Sequence, residues 1–247
     1  MKLAVYKDYQ TVSAYCAQAL FDLIKEKPNA VICIASGDSP KLLCELFVQK
    51  VKSEQLDISR FVFVGLDEWL GLSPDIEGSC HNDFKKRLFD PLNIGPSQYH
   101  LFNALAEDPE KECHKMDRFV QEKGGIDLMI VGIGMNGHIG FNEPGVDFNL
   151  FSHVIQLDDT TKTVGKRYFS QPVSLEKGIT LGLAHLLAAR KVFLIANGIR
   201  KAEVIKKAVQ GPVTNIFPAS ILQKHENGFV LVDEEAASLL DKSKQNR

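Results

Sequence analysis

The feature that most constrains this chain is an alternation along it. Short, continuous apolar runs rich in β-formers are separated by stretches whose apolar residues recur with helical period. AVICIA (30–35), FVFVGL (61–66), LMIVGI (128–133) and KVFLIA (191–196) are uninterrupted runs of the kind that form strands buried on both faces. KLAVY (2–6), HVIQL (153–157) and GFVLV (228–232) read as further strands. Val12, Tyr15, Cys16, Ala19, Leu20 and Leu23 recur at i, i+3, i+4, which gives a helix with one apolar face. Helices are expected also from Pro40 to Ser53, over 79–89 and 108–122, from Asp159 to Arg167, from Arg200 to Val209, and after the last strand. Such alternation builds βαβ units, because parallel neighbours need a crossover and the crossover helix covers the sheet. The expected class is α/β, a mainly parallel, Rossmann-like sheet with helices on both faces. No Gly/Ser-rich or Pro-rich linker and no fixed-period repeat divides the chain, so residues 1–247 read as a single domain with a fraying polar tail, DKSKQNR.

Composition removes several functions. Lys plus Arg is 29 and Asp plus Glu is 31, a net charge of −2, without the basic excess of a general nucleic-acid binder. No apolar stretch approaches the roughly 18 residues of a membrane span. The opening MKLAVYKDYQ meets charge too early for a signal peptide. Five scattered cysteines, odd in number and in no CxxC pair, suit a reduced, cytoplasmic chain without a zinc site.

In open α/β sheets, ligands bind beyond the carboxyl ends of the strands. Four segments in such positions carry chemistry. Ser36-Gly37-Asp38-Ser39-Pro40 follows AVICIA and feeds a helix, with Pro40 suited to its first position. Free N–H groups and a helix N-terminus there make a cradle for phosphate or carboxylate. A plain strand-to-helix turn has the same composition, and Asp38 opposes an anion. Asp67-Glu68, at the end of FVFVGL, puts two carboxylates where catalytic groups sit; a cap for the next segment is the alternative. The stretch 132–144, GIGMNGHIGFNEP, contains a literal GxGxxG. The dinucleotide fingerprint needs a helix at once, and Gly140, Asn142 and Pro144 deny it. The segment reads instead as an irregular loop carrying His138, Glu143, Asn136 and Asn142, an acid–base set. Lys166-Arg167 and Arg200-Lys201 close and open helices; Lys201 opposes a helix dipole, which a bound anion would explain.

Taken in order, these segments resemble the glucosamine-6-phosphate deaminase/isomerase family, within the wider superfamily of 6-phosphogluconolactonases. GHIGFNEP with LDEW carries the resemblance, which spans about Lys2 to Leu240. LDEW with Trp69, the segment 178–183 and Phe217-Pro218-Ala219-Ser220 are more similar to the galactosamine-6-phosphate branch. The resemblance implies that a hexosamine 6-phosphate opens to the aldehyde, isomerises through an enolamine and releases ammonia, leaving fructose or tagatose 6-phosphate. It implies that Asp67 moves the proton between C2 and C1, that His138 opens the ring and that Glu143 orients it. Ser36, Gly37, Asp38 and Ser39 would form the phosphate loop, and Arg167 and Lys201 its cations. Asn136 stands where many members have Asp; its amide can orient His138 but not stabilise an imidazolium by charge. Asp38 stands where many have Gly or Ser. The implied partner is a small amino-sugar phosphate, with no metal or organic cofactor, no nucleic acid and no membrane. A homo-oligomer is compatible, since the family includes monomers and hexamers. The alternatives are a sugar-phosphate lactonase and a non-catalytic sugar-phosphate sensor. Sensors of this kind carry a helix-turn-helix domain, and a sheet pattern that starts at Lys2 leaves no room for one.

Overall fold

Two sheets organise the computed structural model, which describes residues 1–241. In chain order the strands and helices are β1 (Lys2–Tyr6), α1 (Tyr9–Glu26), β2 (Val31–Ile34), α2 (Lys41–Glu54), β3 (Val62–Gly65), β4 (Asp67–Trp69), α3 (Cys80–Phe84), α4 (Asp90–Leu92) and β5 (Tyr99–His100). There follow α5 (Pro109–Glu122), β6 (Leu128–Val131), β7 (His153–Gln156), α6 (Asp159–Gly165), β8 (Lys177–Thr180), α7 (Leu183–Ala188), β9 (Val192–Ala196), α8 (Ala202–Gln210) and β10 (Gly228–Asp233). The main sheet runs β1-β10-β9-β6-β2-β3-β5, and every pairing in it is parallel.

The continuous apolar runs form the centre of this sheet because both of its faces are covered. Ile32 and Ile34 of β2 point into one core with Leu128 and Ile130, beneath α1 and α2. Cys33 and its partner Met129 point into the other, beneath α5, α7 and α8. Each such side chain, fully buried, contributes about 1.5–3 kcal/mol. Strand order reverses between β2 and β6: one half continues through β3 and β5, the other through β9, β10 and β1. A crevice opens at that reversal, beyond the strands' carboxyl ends.

The small sheet, β4-β8-β7, is antiparallel and sits at this same end. HVIQL is a strand as expected, but it belongs here, not in the parallel sheet. The pattern missed β4, β5 and β8, which have only two to four residues each, too few to show a period.

Other expectations are corrected. The stretch 79–89 is not one α-helix: α3 passes into a π-helical turn over Lys85–Phe89 before α4. Pro91 lacks an N–H and crowds the carbonyl four residues back, and the turn ahead of it is widened, with Asp90 N–H bonding Lys85 O. Among the described residues no helix follows β10; residues 234–239 form turns, the first capped by the Asp233 carboxylate on Ala236 N–H at 2.8 Å. Of the tail DKSKQNR, all but Asp241 lies outside the described residues. Among the described residues, no helix is long and apolar enough to cross a membrane.

Candidate active site

The crevice is a cleft of about 760 Å³. Ser36, Gly37, Asp38 and Ser39 line it from β2, Asp67 from β4, His138 from the loop after β6, Arg167 from beyond α6, and Lys201 from the turn before α8. Asn136 and Glu143 are not on its wall and stand behind His138. The chain as a whole is slightly acidic, yet Lys41, Lys86, Arg87, Arg167, Arg200 and Lys201 outnumber the Asp and Glu residues in the lining. A cationic cleft on an acidic protein concentrates anionic ligands.

The loop after β6 makes no dinucleotide turn. Gly134 N–H bonds His138 O at 2.9 Å, folding the loop back on itself. The His138 ring then lies over Gly134, where any Cβ would collide with it. Gly140 has φ +57°, and a Cβ there would come within 2.8 Å of Thr180 Oγ1 and 3.4 Å of Asp67 Oδ2. The glycines therefore let an imidazole and a carboxylate pack against bare backbone. Asn142 is structural: its buried amide donates to Ile139 O and Leu181 O, both at 2.9 Å.

Glu143 Oε2 lies 3.3 Å from His138 Nδ1 and accepts from Asn136 Nδ2 at 2.8 Å. Its Oε1 accepts from Asp158 N–H at 3.3 Å. Asn136 Oδ1 in turn accepts the His138 N–H at 3.2 Å, and Thr161 Oγ1 is 3.0 Å from Nδ1. Burial pushes the Glu143 carboxyl up, but His138, Thr161 and Asn136 outweigh it and hold it below the usual carboxylate range. An ionised Glu143 accepting from Nδ1–H leaves Nε2 as the free nitrogen, over Gly134 and beside the cleft. That tautomer can take a proton from a bound hydroxyl and return it.

The two adjacent acids divide their work. Glu68 is buried and spends both oxygens on backbone: Oε1 on Trp69 N–H and Cys80 N–H, Oε2 on His81 N–H. It caps the start of α3. Asp67 points into the cleft, where burial, then repulsion from Glu68, raise its carboxyl to about 7, with the Cys80 thiol pulling the other way. A carboxyl poised there is suited to accept a proton near neutral pH.

The loop after β2 is held from outside. Gly37 (φ +94°) gives its N–H to Asp83 at 3.3 Å, while Arg87 donates to Gly37 O at 2.6 Å and pairs with Asp83 at 2.8 Å. Pro40 immediately precedes α2 instead of opening it, and makes no side-chain cap. The Tyr9 hydroxyl accepts from Leu42 N–H at 3.1 Å in its place. Lys201 lies in a 3-10 turn ahead of α8, not in the helix, and its ammonium donates to Ile133 O at 2.6 Å. Burial, then Arg200, draw its pKa down against the pull of Asp38. Arg167 is exposed, in a 3-10 turn past the end of α6.

Residues 7–231 match the model of the family described as glucosamine-6-phosphate isomerases/6-phosphogluconolactonase. The chain belongs to this family. It is an enzyme of the deaminase/isomerase kind within it. It is 38% identical over 241 residues to a glucosamine-6-phosphate deaminase of Thermoanaerobacter sp. (strain X514), covering 97% of this chain and 95% of that one. It is 40% identical over 240 residues to that of Bacillus pumilus, covering 97% and 100%. A monomeric glucosamine-6-phosphate deaminase of known structure superposes with a TM-score of 0.93 at 37% identity, over 97% and 100% of the two chains. A 6-phosphogluconolactonase from Trypanosoma brucei shares the fold, with a TM-score of 0.75 at 17% identity over 97% and 98%.

Within this family frame, the sequence pattern located the strand-end loops but not their supports. Thr161, Cys80, Asp83, Arg87 and Tyr9 were missed. Each lies on a helix or turn whose own pattern is unremarkable, and each reaches the site only through the tertiary fold.

Proposed function

We propose that the protein is a hexosamine-6-phosphate deaminase that converts glucosamine 6-phosphate to fructose 6-phosphate and ammonia. The observation that carries this reading is the opening of Asp67 and His138 into one cleft with Ser36–Ser39 and Lys201, with Glu143 seated behind His138. The β2 loop, Arg167 and Lys201 hold the 6-phosphate. His138 Nε2 takes the anomeric hydroxyl proton and returns one to the ring oxygen, opening the sugar to its aldehyde. Glu143, itself held by Asn136, keeps the imidazole in place and stabilises it when charged. Asp67 then removes the C2 proton, forming the enolamine, and delivers a proton to C1. The resulting C2 iminium adds water and releases ammonia. Consumption of a phosphorylated sugar by a chain with five buried free cysteines fits the cytoplasm.

Ammonia release from glucosamine and galactosamine 6-phosphates, measured side by side, tests this directly. Asp67→Asn should lower turnover about 10²–10⁴-fold, the usual worth of a general base, with substrate binding nearly intact. Wild-type kcat/KM should fall as pH drops below about 7, where Asp67 takes up its proton. Wild-type ammonia release by Asp67→Asn would overturn the role of Asp67. Lactone hydrolysis without ammonia release would overturn the reading as a whole. The galactosamine epimer is the second reading. Trp69 favours it: this residue of the galactosamine-like LDEW lines the cleft, packed on Phe141 at 4.6 Å and Phe169 at 5.9 Å.

A further inference from the structure

Cys80 attracts no notice in the sequence, as one of five scattered cysteines. In the fold it is the first residue of α3, 4% exposed, and it lines the cleft. Its Sγ lies 3.5 Å from Asp67 Oδ1 and 3.0 Å from Ser36 Oγ. The Ser36 hydroxyl donates to the sulfur, which leaves the thiol hydrogen for the carboxylate. Among the described residues, no other side chain donates a hydrogen bond to Asp67. Its second oxygen, Oδ2, is on the side of Gly140, where the backbone carries no Cβ to cover it. Cys80 also ties down its own backbone, giving its N–H to Glu68 at 3.0 Å. One residue thus touches both acids of the Asp-Glu pair and the β2 loop.

We propose that Cys80 is a positioning residue for the base: its thiol holds Asp67 Oδ1, ties it to Ser36 of the phosphate loop, and leaves Oδ2 facing the substrate. The inference rests on the reading of Asp67 as the base. Burial and the neighbouring carboxylates hold the Cys80 thiol well above its ordinary pKa, so it stays protonated and acts as a donor, not a nucleophile. A donor to the ionised carboxylate favours the ionised form. The Cys80 thiol therefore extends the working range of the base toward lower pH, against the burial that raises it.

The experiment is the pH profile of kcat/KM for ammonia release. Cys80→Ala should move the acidic limb up by about half to one pH unit, the equivalent of one lost hydrogen bond. Cys80→Val, which fills the space without a donor, should move it in the same direction. Cys80→Ser, which keeps a donor, should leave it within a few tenths of a unit of wild type. Equal loss of activity in all three at every pH, with the limb unmoved, would mean that Cys80 only packs, and would overturn the proposal. Asp67→Asn separates the two readings. If that variant is inactive and the Cys80→Ala limb does not move, the positioning role fails alone. If it stays active, the role of Asp67 as the base fails first.

Discussion

The loop after β6 is braced first by its own residues, with added ties to Asp158, Thr161 and Leu181, whereas the loop after β2 is held by side chains 29 to 50 positions away. In the first, Gly134 bonds His138, Asn136 bonds Glu143, and Asn142 bonds Ile139, all within 7 residues. In the second, Tyr9 supports Ser39 and Leu42 from α1, and the Asp83–Arg87 pair holds Gly37 from both sides. The difference suits two tasks. Proton transfer needs groups fixed to a few tenths of an ångström, and short-range bonds within one segment supply that. An anion cradle needs backbone N–H groups turned to a common point, and a loop of small residues must borrow its rigidity from neighbouring helices.

Gly134→Ala should break the self-braced loop most severely. Its Cβ would strike the His138 ring, so kcat should fall about 10²-fold or more, the scale of a lost acid–base group. A thermal melt distinguishes this from unfolding: the melting temperature should change far less than activity. Unaltered kcat would mean that the ring does not need its place over residue 134.

Arg87→Ala tests the borrowed rigidity of the other loop. It frees Gly37 O and leaves Asp83 without its cation beside the phosphate position, so KM should rise about tenfold with kcat little changed. Lys201→Ala and Arg167→Ala should also raise KM, by roughly 10–150-fold for a lost charge-assisted contact of about 1.5–3 kcal/mol. All three effects should appear with the phosphorylated sugar and be absent with the unphosphorylated one. Equal losses for both sugars would remove these residues from the phosphate subsite.

Asn136→Asp should produce the smallest change and sharpens the comparison most. Asn136 now donates to Glu143 at 2.8 Å. An Asp there would face that carboxylate and add negative charge beside His138, favouring the imidazolium. The neutral imidazole would then be lost at higher pH, so protonation of His138 should steepen the acidic limb of kcat/KM that Asp67 sets. An unaltered limb would show that position 136 braces the loop without coupling electrically to the ring.

These contrasts explain what could be read from the chain alone. The main sheet was legible because its strands are buried on both faces, and runs such as VICI and LMIV are short, continuous and rich in β-formers. The placement of Asp67 and His138 on the cleft was legible because a segment right after a buried parallel strand is carried to the sheet's carboxyl edge. Among the described residues the expected C-terminal helix is absent: Asp233 caps Ala236 N–H as a helix start would, but residues 234–239 go no further than turns.

Burial pattern and strand-to-loop order are properties of the chain, and they set the layered α/β class, the strand ends and the residue types gathered at them. Which of two adjacent acids faces the cleft was settled by packing, because α3 places its free N–H groups over Glu68 and its thiol beside Asp67. Packing also decided what holds the β2 loop, for Asp83, Arg87 and Tyr9 reach Gly37 and Leu42 across distances in sequence that no local period encodes.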